Sequence, residues 1–182
     1  MSNTLQEFDT VVSICKDIFV KKMHDYSLSW RILRLPSITD QIYIKAQRIR
    51  NIEEKGLNKI DEDVYSEYIG IVNYALIAQM QFTLSSDSNA ENSLSDKEVL
   101  ALYDRYVQKA KELLVNKNHD YDEAWVNMRI SSLTDIILMK IFRIKQIENL
   151  NRQTLVSEGI DANYYDIFNY AVFALIKITK QK

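Results

Sequence analysis

The sequence predicts an all-α fold, a pseudo-two-fold helical bundle built from two similar three-helix repeats. Glycine and proline are scarce, at 3 and 1 in 182 residues, whereas β-sandwiches and α/β folds need many such residues at their turns. Apolar residues recur at spacings of three and four, as in amphipathic helices. The pattern His24-Asp25-Tyr26 with Trp30 also returns 95 residues later, as His119-Asp120-Tyr121 with Trp125.

The repeat sets the organisation of the chain. Residues 24–53 and 119–148 align without a gap and share 14 of 30 residues. This predicts a divergent first repeat at 1–84, a polar linker at 85–94 and a second repeat at 95–182, packed as one compact unit. In each repeat an aromatic turn joins the first two helices, and the third helix is apolar nearly all round. We therefore expect the two third helices to pack against each other across a pseudo-two-fold axis.

Local signals place the helix boundaries. Two capping boxes, Thr4-x-x-Glu7 and Ser95-x-x-Glu98, predict the start of the first helix in each repeat. The repeated Ser-x-Thr-Asp pattern, at 37–40 and 132–135, predicts the starts of the second helices, and Gly56 is well placed to end one of them. The other expected boundaries are a first helix ending near Met23, a helical turn around 28–33, a loop at 57–63, and third helices at about 64–83 and 161–178.

Composition argues against several classes of function. The formal net charge is −2 and no long basic run occurs, so duplex nucleic acid binding through a basic face is not expected. The single cysteine, Cys15, lies on the apolar side of the first predicted helix, which favours a buried thiol over a nucleophile. The sequence shows neither an apolar signal core nor a run of membrane-spanning length, and we expect a cytoplasmic protein without a membrane partner.

A polar stripe interrupts the apolar third helix of the second repeat. Asn163, Asp166, Asn169 and Tyr170 share one helical face. A buried carboxylate is costly unless it is paired, protonated or bound to a metal, so the stripe predicts either a hydrogen-bonded interface or a metal or phosphate site. In the first repeat Gly70 stands in the place of Asp166, so the two copies differ at this point.

Both repeats also keep a lysine and an arginine one turn apart on the second helix. These are Lys45 and Arg48 in the first repeat, and Lys140 and Arg143 in the second. Such a pair can hold phosphate groups, the arginine through its planar fork. The alternative is a solvated helix face or a set of ion pairs.

The His119-Asp120-Tyr121 stretch with Trp125 allows two interpretations. His119 could act as a metal ligand or an acid/base group, and the rings could stack on a ligand. Alternatively, Tyr121 and Trp125 fill the end of the bundle while Asp120 caps the following turn. The sequence alone leaves both open.

Several motifs of the second repeat carry a family resemblance. They are residues 117–121, Trp125, residues 132–135, Lys140-x-x-Arg143-Ile144, residues 157–161 and Asp166-x-x-Asn169-Tyr170-Ala171. Together they resemble the nucleotide modification associated domain family, once classed as a domain of unknown function. The name of that family implies a link to nucleotide or DNA-base modification. The first repeat resembles a drifted copy, in which Gly70 replaces the aspartate of the Asp-x-x-Asn-Tyr motif.

The predicted shape is similar, more distantly, to that of the MazG-like all-α NTP pyrophosphohydrolases. Those enzymes use carboxylates on helices to hold Mg²⁺ against a nucleoside triphosphate. This chain departs from their Glu-x-x-Glu pattern, because Glu53 and Glu54 are adjacent and Glu112 has no second glutamate at the required spacing.

Three functions follow as hypotheses. In the first, an enzyme acts on a nucleotide with Asp166 and Asp120 as catalytic carboxylates, and Mg²⁺ is held by Asp166 with Glu158 and Asp161. In the second, the protein binds a nucleotide without turning it over, and in the third it is a structural or interaction bundle. The oligomeric state stays open, with a homo-oligomer as one alternative. The residues expected to bind the ligand are Lys140, Arg143, Lys45, Arg48, His119, Tyr121, Trp125, Asn169 and Tyr170.

Overall fold

The computed structural model of the chain is helical throughout the part that it describes. That part comprises residues 2–56, 60–85, 94–121, 123–151 and 159–181, with side chains described for all of these except residues 2, 60–63 and 118–121. Six α-helices lie within it, and it contains no strand. They are α1 (Ser2–Tyr26), α2 (Leu35–Lys55), α3 (Ile60–Leu84), α4 (Asp96–Tyr121), α5 (Ile130–Asn149) and α6 (Ile160–Gln181). The predicted all-α fold class is confirmed.

Short 3-10 helices at Ser29–Ile32 and Ala124–Asn127 join the first two helices of each repeat. The first of them confirms the helical turn predicted in this region. The capping box of α4 is also confirmed: the Ser95 backbone N–H donates to Glu98 Oε2 (2.8 Å), and the Glu98 N–H donates to Ser95 Oγ (3.2 Å). Gly56 ends α2 at φ 58°, the left-handed conformation that glycine adopts without a Cβ penalty.

Other boundary predictions are wrong. The first helix begins at Ser2 and so includes the Thr4-x-x-Glu7 pattern, and it runs on through His24 to Tyr26. Residues 60–63 of the expected loop belong to α3, whereas residues 57–59 and most of the predicted linker, 86–93, lie outside the described residues.

The Ser-x-Thr-Asp pattern does not start the second helices. Helices α2 and α5 begin earlier, at Leu35 and Ile130, and their N-cap residues Arg34 and Arg129 make no side-chain capping bond. Pro36 therefore lies in the first turn of α2, where its fixed φ suits the helix and its missing N–H is not needed. The threonine of the pattern is fully buried in both repeats.

The core lies where α3 and α6 pack against each other, as the sequence predicted. Helices α2 and α5 pack on this pair and on each other, and buried apolar side chains from both repeats form one continuous cluster. Cys15 belongs to that cluster, and burial raises the pKa of its thiol to about 12. The expectation of a buried thiol is confirmed. Within the described residues, no helix has the length and apolar character to cross a membrane.

Paired hydrogen bonds across the repeats explain the retained threonines. The hydroxyls of Tyr68 in α3 and Thr134 in α5 lie 2.6 Å apart, and those of Tyr164 in α6 and Thr39 in α2 lie 2.5 Å apart. Thr134 also donates to Glu53 Oε1 at 2.9 Å. Each threonine thus bonds to the opposite repeat, which is the arrangement that a pseudo-two-fold relation produces.

Ion pairs repeat the same relation at the surface of the α2–α5 contact. Lys145 Nζ lies 2.8 Å from Asp40 Oδ1, and Arg50 Nη1 lies 3.7 Å from Asp135 Oδ1. The aspartate of each Ser-x-Thr-Asp pattern therefore faces a cation of the other repeat. The pattern serves the contact between repeats, not helix capping.

Thr134→Val tests this contact. The change leaves the buried Tyr68 hydroxyl and the Glu53 carboxylate without their partner, so we expect the free energy of unfolding to fall by about 1–3 kcal/mol. Urea denaturation measures the loss. Thr179→Val is the matched control, since the Thr179 hydroxyl bonds only to Leu175 O of its own helix, and its loss should stay under about 0.5 kcal/mol. Equal losses in the two variants would contradict the assignment.

Glu53 gives a pH-dependent prediction. Burial raises the pKa of Glu53 above its usual range, and this outweighs the lowering by the Thr134 hydroxyl and by Arg50. The folded state therefore holds the proton more tightly than the unfolded state, and the stability that Glu53 contributes is lost as pH rises through its folded pKa. Glu53→Gln should gain stability relative to wild type between about pH 4 and neutrality, since the ordinary glutamate pKa is about 4.3. Urea denaturation at both pH values measures the difference, and Glu54→Gln controls for the helix charge. If the stability of Glu53→Gln relative to wild type stayed constant or fell as pH rises, the raised pKa of Glu53 would be refuted.

Candidate functional site

A cleft opens in the second repeat between α4, α5, α6 and the second 3-10 helix. Its volume is about 370 Å³, which lies within the usual range of small-molecule sites, roughly 300–1,000 Å³. The side chains that line it combine two lysines and one aspartate with a mostly apolar wall. They are Leu114, Lys117, Ala124, Trp125, Met128, Lys140, Asp166, Asn169, Tyr170 and Phe173.

Asp166 lies at the centre of the charged part of the cleft. Lys117 Nζ in α4 lies 2.5 Å from its Oδ1, and Lys140 Nζ in α5 lies 2.7 Å from its Oδ2. Asp166 is 10% exposed and Lys140 14%, whereas Lys117 is 54% exposed. Two ammonium groups compensate the burial of one carboxylate, and the three side chains together keep one positive charge.

The polar stripe on α6 divides into structural and cleft-facing members. Asn163 Nδ2 donates to Gly159 O at 3.0 Å, and Asn169 Nδ2 donates to Ala110 O of α4 at 3.1 Å. Asn163 thus bonds to the chain just before its own helix, and Asn169 joins α6 to α4 of the same repeat, so neither of these bonds crosses between the repeats as the interface interpretation expected. Asp166 instead faces the cleft with its lysines.

An aromatic wall closes one side of the cleft. The rings of Trp125 and Phe173 stack with centroids 4.2 Å apart and planes 6° from parallel, and Tyr170 meets Phe173 edge-on at 6.1 Å. Burial, and next the Asp166 carboxylate, raise the pKa of Tyr170, while Lys117 and Arg143 lower it. Trp125 is buried and stacked against Phe173, and it also lines the cleft.

The other predicted site residues are placed as follows. Arg143 is exposed and does not line the cleft, and it has no carboxylate partner within the described residues. His119, Asp120 and Tyr121 have their backbone in the last turn of α4, but their side chains lie outside the described part of the chain. Glu158 lies outside it altogether.

Asp161 does not join Asp166 in the cleft. It lies in the first turn of α6, where its backbone carbonyl accepts a bond from Gln79 Nε2 at 2.7 Å. Across the described ranges, no group of three or more histidine, cysteine, aspartate or glutamate side chains could hold a metal ion.

In the first repeat the lysine and arginine form ion pairs. Lys45 Nζ lies 3.5 Å from Glu67 Oε2, and Arg48 Nη1 lies 2.6 Å from Glu67 Oε1. Glu67 takes the place of Asn163, one turn before the position that corresponds to Asp166. The ion-pair interpretation of the pair thus applies in this repeat.

Lys117 is the charged residue of the cleft lining that the sequence did not single out as a ligand-binding residue. The sequence held a signal for it, because Lys22 stands 95 residues earlier and the two repeats agree there. The aligned segments 24–53 and 119–148 start at the histidines, so they do not include this pair of lysines. Lysines two residues before the histidine are thus part of the repeated unit.

Asp166→Asn tests the central charge cluster. The change leaves the nearly buried Lys140 ammonium without its counter-charge, and we expect a loss of about 3 kcal/mol in the free energy of unfolding. Asp104→Asn is the control, because its pair with Lys16 is exposed and should contribute about 0–1 kcal/mol. Chemical denaturation compares them. A loss at Asp166 no larger than that at Asp104 would show that the cluster contributes nothing beyond a surface pair.

Comparison with known proteins agrees with the repeat structure. The model of a family described as "Nucleotide modification associated domain 1" matches residues 22–82 and, separately, residues 117–178. The two matched segments fall one in each repeat, which supports the tandem duplication. Searches of curated proteins and of solved structures returned no match, and the likeness to MazG-like pyrophosphohydrolases gains no support from them. The chain belongs to the nucleotide modification associated domain family and contains two copies of its domain.

Proposed function

We propose that the chain binds a nucleotide in the cleft of the second repeat, with the phosphates on the lysines. The observation that carries this proposal is the convergence of the Lys117 and Lys140 ammonium groups on Asp166 inside a cleft of suitable volume. Arg143 is exposed nearby and adds a third cation without a described carboxylate partner. A polyphosphate can bind such a group through charge-assisted hydrogen bonds.

The base lies against the apolar wall. Trp125 already stacks on Phe173, so the half-buried Tyr170 and Met128 provide the remaining contact area. Phosphates at the lysines and an apolar ring at the wall match the two halves of the cleft. The family to which the chain belongs is named for nucleotide modification, and this supports a nucleotide over other phosphorylated ligands.

The described side chains do not fit a Mg²⁺ site. Magnesium binding needs several oxygen ligands, commonly one or two carboxylates with waters and phosphates. Asp166 is the one carboxylate among the described side chains that line the cleft, and both of its oxygens face ammonium groups. The other predicted ligands, Glu158 and Asp161, lie outside the described residues and away from the cleft respectively. We therefore derive no hydrolytic step, and the proposal is one of binding.

Lys117→Ala and Lys140→Ala test the proposal. A hydrogen bond to a charged group contributes about 1.5–3 kcal/mol, so each variant should weaken dATP binding by roughly 10- to 100-fold. Isothermal titration calorimetry gives the dissociation constant, after a thermal-shift screen of ribo- and deoxyribonucleoside triphosphates. Lys22→Ala is the matched control, since Lys22 occupies the position equivalent to Lys117 in the first repeat. Equal effects of Lys22→Ala and Lys117→Ala would contradict the placement of the site.

A second candidate is a structural or interaction bundle. It is favoured by the finding that the retained Ser-x-Thr-Asp pattern serves the contact between repeats. In that case no nucleotide raises the melting temperature, and Lys117→Ala and Lys140→Ala change stability alone. Measuring pyrophosphate release with and without Mg²⁺ on the same samples tests for turnover, and release that is lost in Lys140→Ala would favour an enzyme.

A further inference from the structure

The first repeat contains a smaller counterpart of the cleft. Its volume is about 120 Å³, against about 370 Å³ in the second repeat. The aromatic and amide residues of the two clefts correspond, with Trp30, Asn73 and Tyr74 in the places of Trp125, Asn169 and Tyr170. The difference in volume therefore comes from other residues.

Lys45 lies against Gly70, which is one of the residues that line the smaller cleft. A Cβ on Gly70 would lie 2.7 Å from Lys45 Cε and 2.8 Å from its Cδ, so the lysine side chain runs across the helix where any larger residue would stand. Its ammonium group lies 5.8 Å from the centroid of the Tyr74 ring and 3.5 Å from Glu67. In the second repeat the equivalent lysine, Lys140, ends instead at Asp166 inside the open cleft.

The two clefts also differ in the number of lysines that are placed to bind a phosphate. Lys45 and Arg48 both pair with Glu67, so neither is left for a phosphate. Within the described part of the chain, Lys22 is the one charged side chain that lines the smaller cleft, whereas Lys117 and Lys140 both line the larger one. A volume of 120 Å³ also falls below the range of about 300–1,000 Å³ for small-molecule sites.

We infer that each chain binds one nucleotide, in the second repeat, and that the Glu67/Gly70 pair closes the first cleft by holding Lys45 across α3. The inference rests on the proposed function. According to this inference, the difference between Gly70 and Asp166 determines why the cleft of the first repeat is closed and that of the second repeat is open. An aspartate at 70 with an asparagine at 67 would draw Lys45 back to the position that Lys140 holds.

Titration calorimetry with dATP as the probe tests the stoichiometry. Wild type should bind one dATP per chain, and the double variant Glu67→Asn/Gly70→Asp should bind two. The matched reverse exchange, Asn163→Glu/Asp166→Gly, should bind none while circular dichroism shows an intact helical fold. The protein concentration is kept above the dissociation constant so that the stoichiometry is defined.

Two single variants keep the inference testable if the double variants do not fold. Lys45→Ala should change the dATP dissociation constant by less than about 2-fold, whereas the equivalent Lys140→Ala should weaken it by about 10-fold or more. Two bound dATP in wild type, equal effects of the two lysine variants, or a folded Glu67→Asn/Gly70→Asp that still binds one dATP would each overturn the inference. Absence of dATP binding in wild type would instead refute the proposed function itself.

Discussion

The structure depends on the burial of two helices, α3 and α6, that are apolar nearly all round. Neither can be covered by the other helices of its own repeat, so each packs on the other and the duplicated chain closes into one core. A polar group buried on these helices is therefore costly unless it finds a partner inside the protein. Tyr68 and Tyr164 bond to threonines of the opposite repeat, and Asp166 is paired with two lysines. The contact between repeats and the charge cluster of the candidate site therefore have the same cause, which is the need to pair polar groups buried on α3 and α6.

The hydrogen bonds of two equivalent buried asparagines, Asn73 in α3 and Asn169 in α6, show that the two repeats have diverged. Asn73 satisfies both ends of its amide, since Nδ2 donates to Cys15 O (3.0 Å) and Oδ1 accepts from Tyr103 (2.9 Å). Asn169 makes the first of these bonds, to Ala110 O, but its Oδ1 has no partner within the described residues. The reason is that Phe8 stands where the other repeat has Tyr103, and it packs edge-on against Phe168 instead. The two repeats therefore differ at both points: Phe8 makes an apolar contact where Tyr103 makes a hydrogen bond, and Gly70 stands where the second repeat has Asp166.

The sequence predicted the fold well and the site in part, for a physical reason. Apolar periodicity and internal repetition report burial directly, so the helices, the duplication and the pairing of α3 with α6 followed from them. A threonine near a helix start, in contrast, is equally suited to capping and to bonding across a core, and only the packing shows that Thr39 and Thr134 do the second. Likewise, Lys117 in α4 and its partner Asp166 in α6 lie 49 residues apart in the chain, and no local pattern encodes a contact between different helices. Lys140 and Asp166 were predicted singly but not as a pair.

Burial separates the roles of the two lysines in the cleft. Lys140 is 14% exposed and pairs with a carboxylate that is 10% exposed, so moving it away from Asp166 would leave charges unpaired in a poorly solvated place. Lys117 is 54% exposed, and its ammonium can turn from Asp166 to a phosphate while water continues to solvate it. Under the proposed function, a polyphosphate would therefore meet one fixed and one adjustable cation. Asp166 holds the first in position, and the first repeat, where Lys45 is turned onto Glu67 instead, has neither arrangement.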